Sequence, residues 1–113
     1  MKKNILFCGT PMFATASLIA LFNHQDKLNY ELKGVVTIED KISGRGQKSR
    51  ESEVKKEAKK LNLQIFTPNN LSNPNFIDKI KKLDLDLIIV VAFKKLPSIL
   101  FEVPKIGTIN LHA

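Results

Sequence analysis

The fold is decided by the stretch Leu85-Asp86-Leu87-Ile88-Ile89-Val90-Val91-Ala92, which is apolar at nearly every position. A strand that is exposed on one face alternates apolar and polar residues, whereas a strand covered on both faces does not. The stretch therefore predicts a β-strand buried between two layers of helices. Such strands belong to parallel sheets, in which a helix crosses back over the sheet after each strand.

The segments on either side continue this alternation of strands and helices. We predict further strands at residues 5–8, 32–38, 65–66 and 106–111, and helices at residues 12–24, 52–61 and from 74 onward, with a helical turn near 96–101. Thr10 is expected to cap the first helix, with Pro11 in its first turn. Residues 39–52 show no periodicity and are predicted to form a loop. The expected fold is a single doubly wound α/β domain with a mostly parallel sheet.

The composition is that of a globular protein. Hydrophobic residues make up 43% and charged residues 26% of the 113 residues, which is too apolar for a disordered chain. The longest uninterrupted apolar run, residues 87–93, is far shorter than the roughly 20 residues that cross a bilayer. Cys8 has no second cysteine with which to form a disulfide, so nothing points to an oxidising compartment. Together with the short apolar run, this leads us to expect a cytoplasmic protein without membrane contact.

The net charge of +7 is concentrated in one segment. Residues 41–60 contain eight Lys or Arg and three Glu, a net of +5. Cations set against phosphates release condensed counterions, so such a segment favours a polyanionic partner. A solvated lysine face on a helix fits the same composition, and at this point both interpretations remain open.

In doubly wound sheets, ligands bind beyond the carboxyl ends of the strands, where the strand order reverses. Residues 9–13, residues 93–96 and the end of the last strand meet this description. The glycine fingerprint of a dinucleotide site is absent after the first strand. Asn110 and His112, two apart on the last strand, form an amide and imidazole pair suited to a reaction that creates an oxyanion. An N-x-H pattern also arises by chance, so a structural role stays open.

Several segments in series resemble the methionyl-tRNA formyltransferases. They are Cys8-Gly9-Thr10-Pro11-Met12-Phe13-Ala14, Ser43-Gly44-Arg45-Gly46-Gln47-Lys48, Leu96-Pro97 and Ile106-Gly107-Thr108-Ile109-Asn110-Leu111-His112-Ala113. The resemblance covers essentially the whole chain in the same order. It implies the N-terminal part of a Rossmann-like formyltransferase domain that is incomplete at its C-terminus, without a second domain.

The resemblance implies formyl transfer from 10-formyltetrahydrofolate, as co-substrate, to the amino group of methionine on initiator tRNA. Asn110 and His112 match the family's catalytic Asn and His, and no metal is involved. A catalytic Asp and a C-terminal barrel domain lie further downstream in the family. We therefore expect the 113 residues alone to lack turnover and the full-length protein to be monomeric. The last strand is expected to be an exposed edge that favours association.

The resemblance also implies further binding residues. Phe93, Lys94, Lys95 and Leu96 match the stretch that lines the pterin pocket, although many members have Tyr-Gly where this chain has Phe-Lys-Lys. Pro11 and Phe13 are candidate walls for the methionine side chain, from their position alone. In the segment after the second strand, the predicted tRNA-binding residues are Lys41, Arg45, Lys48 and Arg50, of which Arg45 occupies the position of the family's key arginine.

Two alternatives remain. Another folate-dependent formyltransferase of the same superfamily, acting on a sugar nucleotide or a purine precursor, would share the fold but has no use for the basic segment. A non-catalytic RNA-binding domain would use the basic segment without any affinity for folate. A comparison of formyl acceptors distinguishes the first alternative from a methionyl-tRNA formyltransferase, and a folate titration distinguishes the second.

Overall fold

The computed structural model of the protein describes residues 2–46 and 48–111. Its strands are, in chain order, Lys3–Gly9 (β1), Tyr30–Val36 (β2), Lys41–Ser43 (β3), Lys48–Arg50 (β4), Ile65–Phe66 (β5), Leu87–Val91 (β6) and Gly107–Leu111 (β7). Its helices are Met12–Asn23 (α1), Gln25–Leu28 (α2), Glu53–Lys60 (α3), Pro74–Lys81 (α4) and Ser98–Phe101 (α5).

The central sheet is parallel and has the strand order β5-β2-β1-β6-β7. From β1 the chain continues to β2 and β5 on one side of the sheet. It then returns to β6, which lies on the other side of β1, and continues to β7. The strand order therefore reverses between β1 and β6, which is where doubly wound sheets bind ligands. The predicted fold class is confirmed, and β7 is an edge strand in the described part of the chain.

A layer of helices covers each face of the sheet, as the apolar stretch of β6 predicts. The fully buried helix residues that pack on one face belong to α1 and α3, and they are Ala14, Leu18, Val54 and Ala58. Those on the other face belong to α4 and α5, and they include Ile77, Ile80 and Leu100. Apolar burial on both faces is what stabilises this three-layer arrangement.

The carboxyl ends of the central strands lie level with one another. Gly9 pairs with Val91 between β1 and β6, and Val91 pairs with Leu111 between β6 and β7. A Cβ on Gly9 would lie 2.8 Å from the Val91 carbonyl oxygen and 3.0 Å from the Ala14 Cβ. The last residue of β1 therefore packs against β6 and α1 at a distance that only glycine permits.

Two local predictions are wrong, and one short helix was missed. Residues 39–52 contain the antiparallel hairpin of β3 and β4 rather than an irregular loop. Pro11, and not Thr10, is the N-cap of α1, and no side chain caps that helix. The Thr10 carbonyl instead accepts a hydrogen bond from the Val54 amide at 3.2 Å, which ties the loop after β1 to α3. The short helix α2 was not predicted.

No helix among the described residues combines the length and apolarity that are needed to cross a bilayer.

Candidate functional site

A cavity of about 490 Å³ opens at the carboxyl end of the sheet beside β6 and β7. Asn110 lines this cavity together with the four residues predicted to hold the folate, Phe93, Lys94, Lys95 and Leu96. Because Asn110 pairs with Val90, it lies one residue before the ends of β6 and β7. The structure thus brings together two groups of residues that the sequence separates. We call this space the β6–β7 cavity.

The turn after β6 directs the chain into the β6–β7 cavity. Ala92 has a φ of 50°, in the left-handed region that residues with a Cβ rarely adopt. Leu96 is buried and Phe93 packs at the margin of the same core cluster, whereas Lys94 and Lys95 are exposed. Apolar contacts therefore hold the segment in place against its backbone strain, a combination that is common at ligand sites.

The side chains of β7 alternate between the two faces of the sheet. Thr108 and Asn110 line the β6–β7 cavity, and the Thr108 hydroxyl donates a hydrogen bond to the Phe101 carbonyl at 2.8 Å. Leu111 lies on the opposite face beside Ile89 and is 49% exposed. Leu111 therefore does not belong to the buried core, and β7 has a neighbouring strand on one side only within the described residues. His112 lies outside the described residues.

Sequence reasoning missed three residues that line this cavity, Val90, Phe101 and Thr108. Thr108 precedes Asn110 by two residues, so the alternation of a strand would have placed it on the same face. Nothing in the sequence indicates Phe101, because only the packing of α5 against β7 brings its ring to the cavity.

The hairpin of β3 and β4 carries the predicted tRNA-binding residues. We call β3, β4 and the tip Gly44-Arg45-Gly46 the basic arm. Gly44 and Gly46 have φ values of 79° and 82°, which glycine adopts without strain, and the arginine between them is exposed. Arg45 therefore stands at the outer end of the arm.

Three of the predicted cations share one face of the basic arm. Lys41 pairs with Arg50, and Ser43 pairs with Lys48. Because residues two apart on a strand and residues directly opposite one another point to the same face, Lys41, Lys48 and Arg50 lie together. Like charges directly opposite one another repel. Among residues 2–46 and 48–111, none of these cations or Arg45 forms an ion pair.

An ion-pair network joins the base of the basic arm to α3. The Lys55 Nζ lies 2.8 Å from the Asp40 carboxylate and 3.5 Å from that of Glu51, which also pairs with Lys59. The hydrogen bond from Lys55 lowers the pKa of Asp40, and the hydrogen bond from Lys59 lowers the pKa of Glu51. The bond to Asp40 in turn raises the pKa of Lys55. These helix lysines are thus engaged with carboxylates, unlike the cations of the arm.

The two candidate residues for the methionine pocket do not line a common cavity. Pro11 lines a second cavity, of about 660 Å³, whose walls also include Lys41 and Arg50 of the basic arm. Phe13 lies in the first turn of α1, is 52% exposed, and forms a wall of neither this cavity nor the β6–β7 cavity. Pro11 therefore shares a cavity with the predicted tRNA-binding cations Lys41 and Arg50 and not with Asn110.

The remaining candidates for chemistry are few in the described part of the chain. No three His, Cys, Asp or Glu side chains there lie close enough to share a metal ion. Cys8 is fully buried in β1, and this burial raises the pKa of its thiol. Because the thiolate is the reactive form of cysteine, Cys8 serves packing in this environment.

Comparison with known proteins extends over the whole chain. The family described as formyl transferase matches residues 1–113. The methionyl-tRNA formyltransferase of Flavobacterium johnsoniae is 45% identical over 112 residues, which are 99% of this chain and 34% of the relative. The enzyme of the same name from Porphyromonas gingivalis is 43% identical over 115 residues, with 99% and 34% covered. The chain thus spans about a third of the length of these curated relatives.

Solved structures show the same fold at low sequence identity. Glycinamide ribonucleotide transformylase 1 from Geobacillus kaustophilus superimposes with a TM-score of 0.69 at 12% identity, covering 97% of this chain and 57% of that one. Phosphoribosylglycinamide formyltransferase from Bacillus halodurans gives a TM-score of 0.66, also at 12% identity, covering 96% and 55%. These likenesses concern the fold, while the sequence matches identify the family: the chain belongs to the formyl transferase family.

Proposed function

We propose that this chain supplies the front part of an enzyme that transfers a formyl group from 10-formyltetrahydrofolate to the amino group of methionine on initiator tRNA. The proposal is supported by its membership of the formyl transferase family and by its 45% identity to a protein named methionyl-tRNA formyltransferase. In this reaction the amine attacks the formyl carbon and a tetrahedral oxyanion forms. A new carbon–nitrogen bond remains in the product, while the bond to the folate nitrogen breaks and tetrahydrofolate leaves with the proton.

Asn110 is the residue to which we assign oxyanion stabilisation. Its side-chain amide can donate a hydrogen bond to the oxygen as negative charge develops there, and such preorganised donors are a large source of rate enhancement. His112 is proposed to donate a second hydrogen bond or to carry the proton that leaves the amine.

The β6–β7 cavity is our candidate site for the folate. Its volume of about 490 Å³ lies within the range of small-molecule pockets, about 300–1,000 Å³. The Phe93 ring and the Leu96 side chain offer apolar surface to a flat pterin, and the irregular backbone after Ala92 leaves amide and carbonyl groups for its polar edge.

One observation carries the proposal: Asn110 shares a cavity with residues 93–96, directly beside the reversal of strand order. On the far side of the loop after β1, the basic arm offers a cationic face without carboxylate partners in the described residues. A donor for an oxyanion and a space for a flat cofactor thus lie in one cavity, and the loop after β1 lines a second cavity together with Lys41 and Arg50 of the basic arm.

The folate assignment is tested by titrating the ¹⁵N-labelled chain with a hydrolysis-resistant 10-formyl folate analogue. We expect chemical-shift changes at the amides of residues 93–96 and at the Asn110 side chain. Leu28 and Ala20, which line an apolar cavity on the opposite side of the sheet, serve as internal controls and should not shift. Shifts confined to those controls, or none at saturating analogue, would contradict the assignment and favour a non-catalytic RNA-binding domain.

The RNA assignment is tested by measuring the affinity for initiator tRNA as a function of KCl concentration. Arg45→Ala should weaken binding and lower the slope of log K against log [KCl] by roughly 0.7–0.9, the value of one lost phosphate contact. Lys27→Ala removes the same charge from the exposed surface of α2 and should leave the slope unchanged. Equal effects of the two variants would show that binding is governed by net charge alone. Folate binding without tRNA binding would favour a formyltransferase with a small acceptor.

A further inference from the structure

The lysines of α3 are engaged in a way that the sequence does not indicate. As a basic helix beside a basic arm, α3 could simply extend the RNA-binding surface. In the structure, however, Lys55 and Lys59 pair with carboxylates at the base of the arm, and Lys56 pairs with Glu53 at 3.3 Å. Lys55 is the most enclosed of the three, since its side chain is only 19% exposed.

The two carboxylates that contact Lys55 flank the basic arm on both sides. Asp40 directly precedes β3, and Glu51 directly follows β4. One ammonium group therefore bridges the chain entering the arm and the chain leaving it. The Ser49 hydroxyl adds a hydrogen bond to Asp40 at 3.4 Å, from within β4.

Lys55 is itself attached to the rigid part of the molecule. Its amide donates to the hydroxyl of Ser52, the N-cap of α3, which lies 2.7 Å from the buried Thr37 hydroxyl at the end of β2. Val54, which directly precedes Lys55, is fully buried, and its amide donates a hydrogen bond to the Thr10 carbonyl in the loop after β1. The network thus connects a protruding arm to the core of the domain.

We infer that Lys55 is a positioning residue for RNA binding, which holds the basic arm against α3 by bridging Asp40 and Glu51 and makes no contact with the RNA itself. This inference rests on the proposed function for its partner, initiator tRNA. Without the bridge, the arm has to be ordered when it binds, and the lost conformational freedom weakens the complex. The lowered pKa of Asp40 and the raised pKa of Lys55 have the directions that such a bridge requires.

Asp40→Asn tests the inference because the two roles of Lys55 predict opposite signs. The substitution removes one negative charge and one of the two carboxylates that pair with Lys55, so that Lys55 no longer bridges the two ends of the arm. If Lys55 were a phosphate contact, tRNA would bind more tightly; if it positions the arm, tRNA binds more weakly, by about three-fold for a pair of this kind. Glu31→Gln is the matched control, because it removes a carboxylate that pairs with Lys33 on β2, away from the arm. It should leave the affinity unchanged or slightly higher.

A second measurement does not depend on RNA. The ¹⁵N heteronuclear NOE of the Gly44 and Gly46 amides should fall in Asp40→Asn and in Lys55→Met, and should stay at the wild-type value in Glu31→Gln. Adding Lys55→Met to Asp40→Asn should change little, because both substitutions break the same bridge. Tighter tRNA binding by Asp40→Asn, or an unchanged NOE at the arm tip, overturns the inference. A lowered NOE in a chain that binds no tRNA would uphold the positioning and refute the proposed function.

Discussion

Replacing Gly9 by alanine should destabilise the domain at the edge where the candidate site lies. The added methyl group would lie 2.8 Å from the Val91 carbonyl oxygen, 2.9 Å from the Phe7 ring and 3.0 Å from the Ala14 Cβ. The first contact is with backbone of the neighbouring strand, which cannot move without disturbing the β1–β6 ladder. Forcing a methyl group into a close-packed interior typically costs about 1–3 kcal/mol.

The expected change in melting temperature follows from the size of the chain. With an unfolding entropy of about 2.1 cal/mol/K per residue, that cost lowers the Tm of a domain of 113 residues by roughly 4–13 °C. Thermal unfolding followed by circular dichroism measures it.

Gly34→Ala is the control for this prediction, because the same methyl group would there meet mainly a side chain. Its Cβ would lie 3.0 Å from the Phe66 ring and 3.2 Å from the Gln64 carbonyl oxygen, and the ring can shift. We expect a smaller loss of Tm than for Gly9→Ala. A Gly9→Ala variant that melts within about 2 °C of the wild type would show that β1, β6 and α1 do not approach one another this closely.

Three further predictions concern backbone strain, thiol access and pH. Ala92→Gly should raise the Tm because glycine adopts a φ of 50° without strain, whereas Ala92→Val should lower it by the equivalent of roughly 1–2 kcal/mol; paired melting curves would show the opposite signs. Cys8 should react with a disulfide reagent only at the rate of unfolding, because its thiol is buried and the pKa of that thiol is raised; rapid labelling of the folded chain would refute this. Because the pKa of Asp40 is lowered from 3.8 and that of Lys55 is raised from 10.5, their bridge stabilises the arm between these values. It is lost as the pH falls through the folded pKa of Asp40 or rises through that of Lys55. The arm, followed by its carbon-bound protons in NMR spectra, should therefore be equally ordered from about pH 5 to 10.

The sequence predicts the central sheet well because the pattern of apolar residues within a strand indicates which of its faces are buried. The unbroken apolar run of β6 requires cover on both faces, and this alone implies a parallel sheet with crossover helices. The hairpin of β3 and β4 escaped prediction because its strands are three residues each and carry Lys41, Lys48 and Arg50 instead of an apolar face. Its position depends on Asp40 and Lys55, which are 15 residues apart in the sequence.

The candidate site was predictable to the extent that strand ends determine it. Residues 93–96 follow β6, and Asn110 lies near the end of the neighbouring strand β7. Because the carboxyl ends of parallel strands meet at one edge of the sheet, the two groups were expected to lie close together. Pro11 and Phe13 do not follow this rule, because α1 begins between them and carries the Phe13 ring outward. The residues of a helical turn diverge by about 100° each, so closeness in sequence did not imply a shared cavity.

Among the described residues no strand pairs with the outer side of β7, which has a practical consequence for work with this chain at high concentration. Ile106 and Ile109 are 65% and 48% exposed there, next to backbone amide and carbonyl groups that a second molecule can pair with. Purified samples should therefore sediment as larger species when they are concentrated. Placing a lysine at position 109 should keep them monodisperse, and titrations at low micromolar protein would separate ligand binding from self-association.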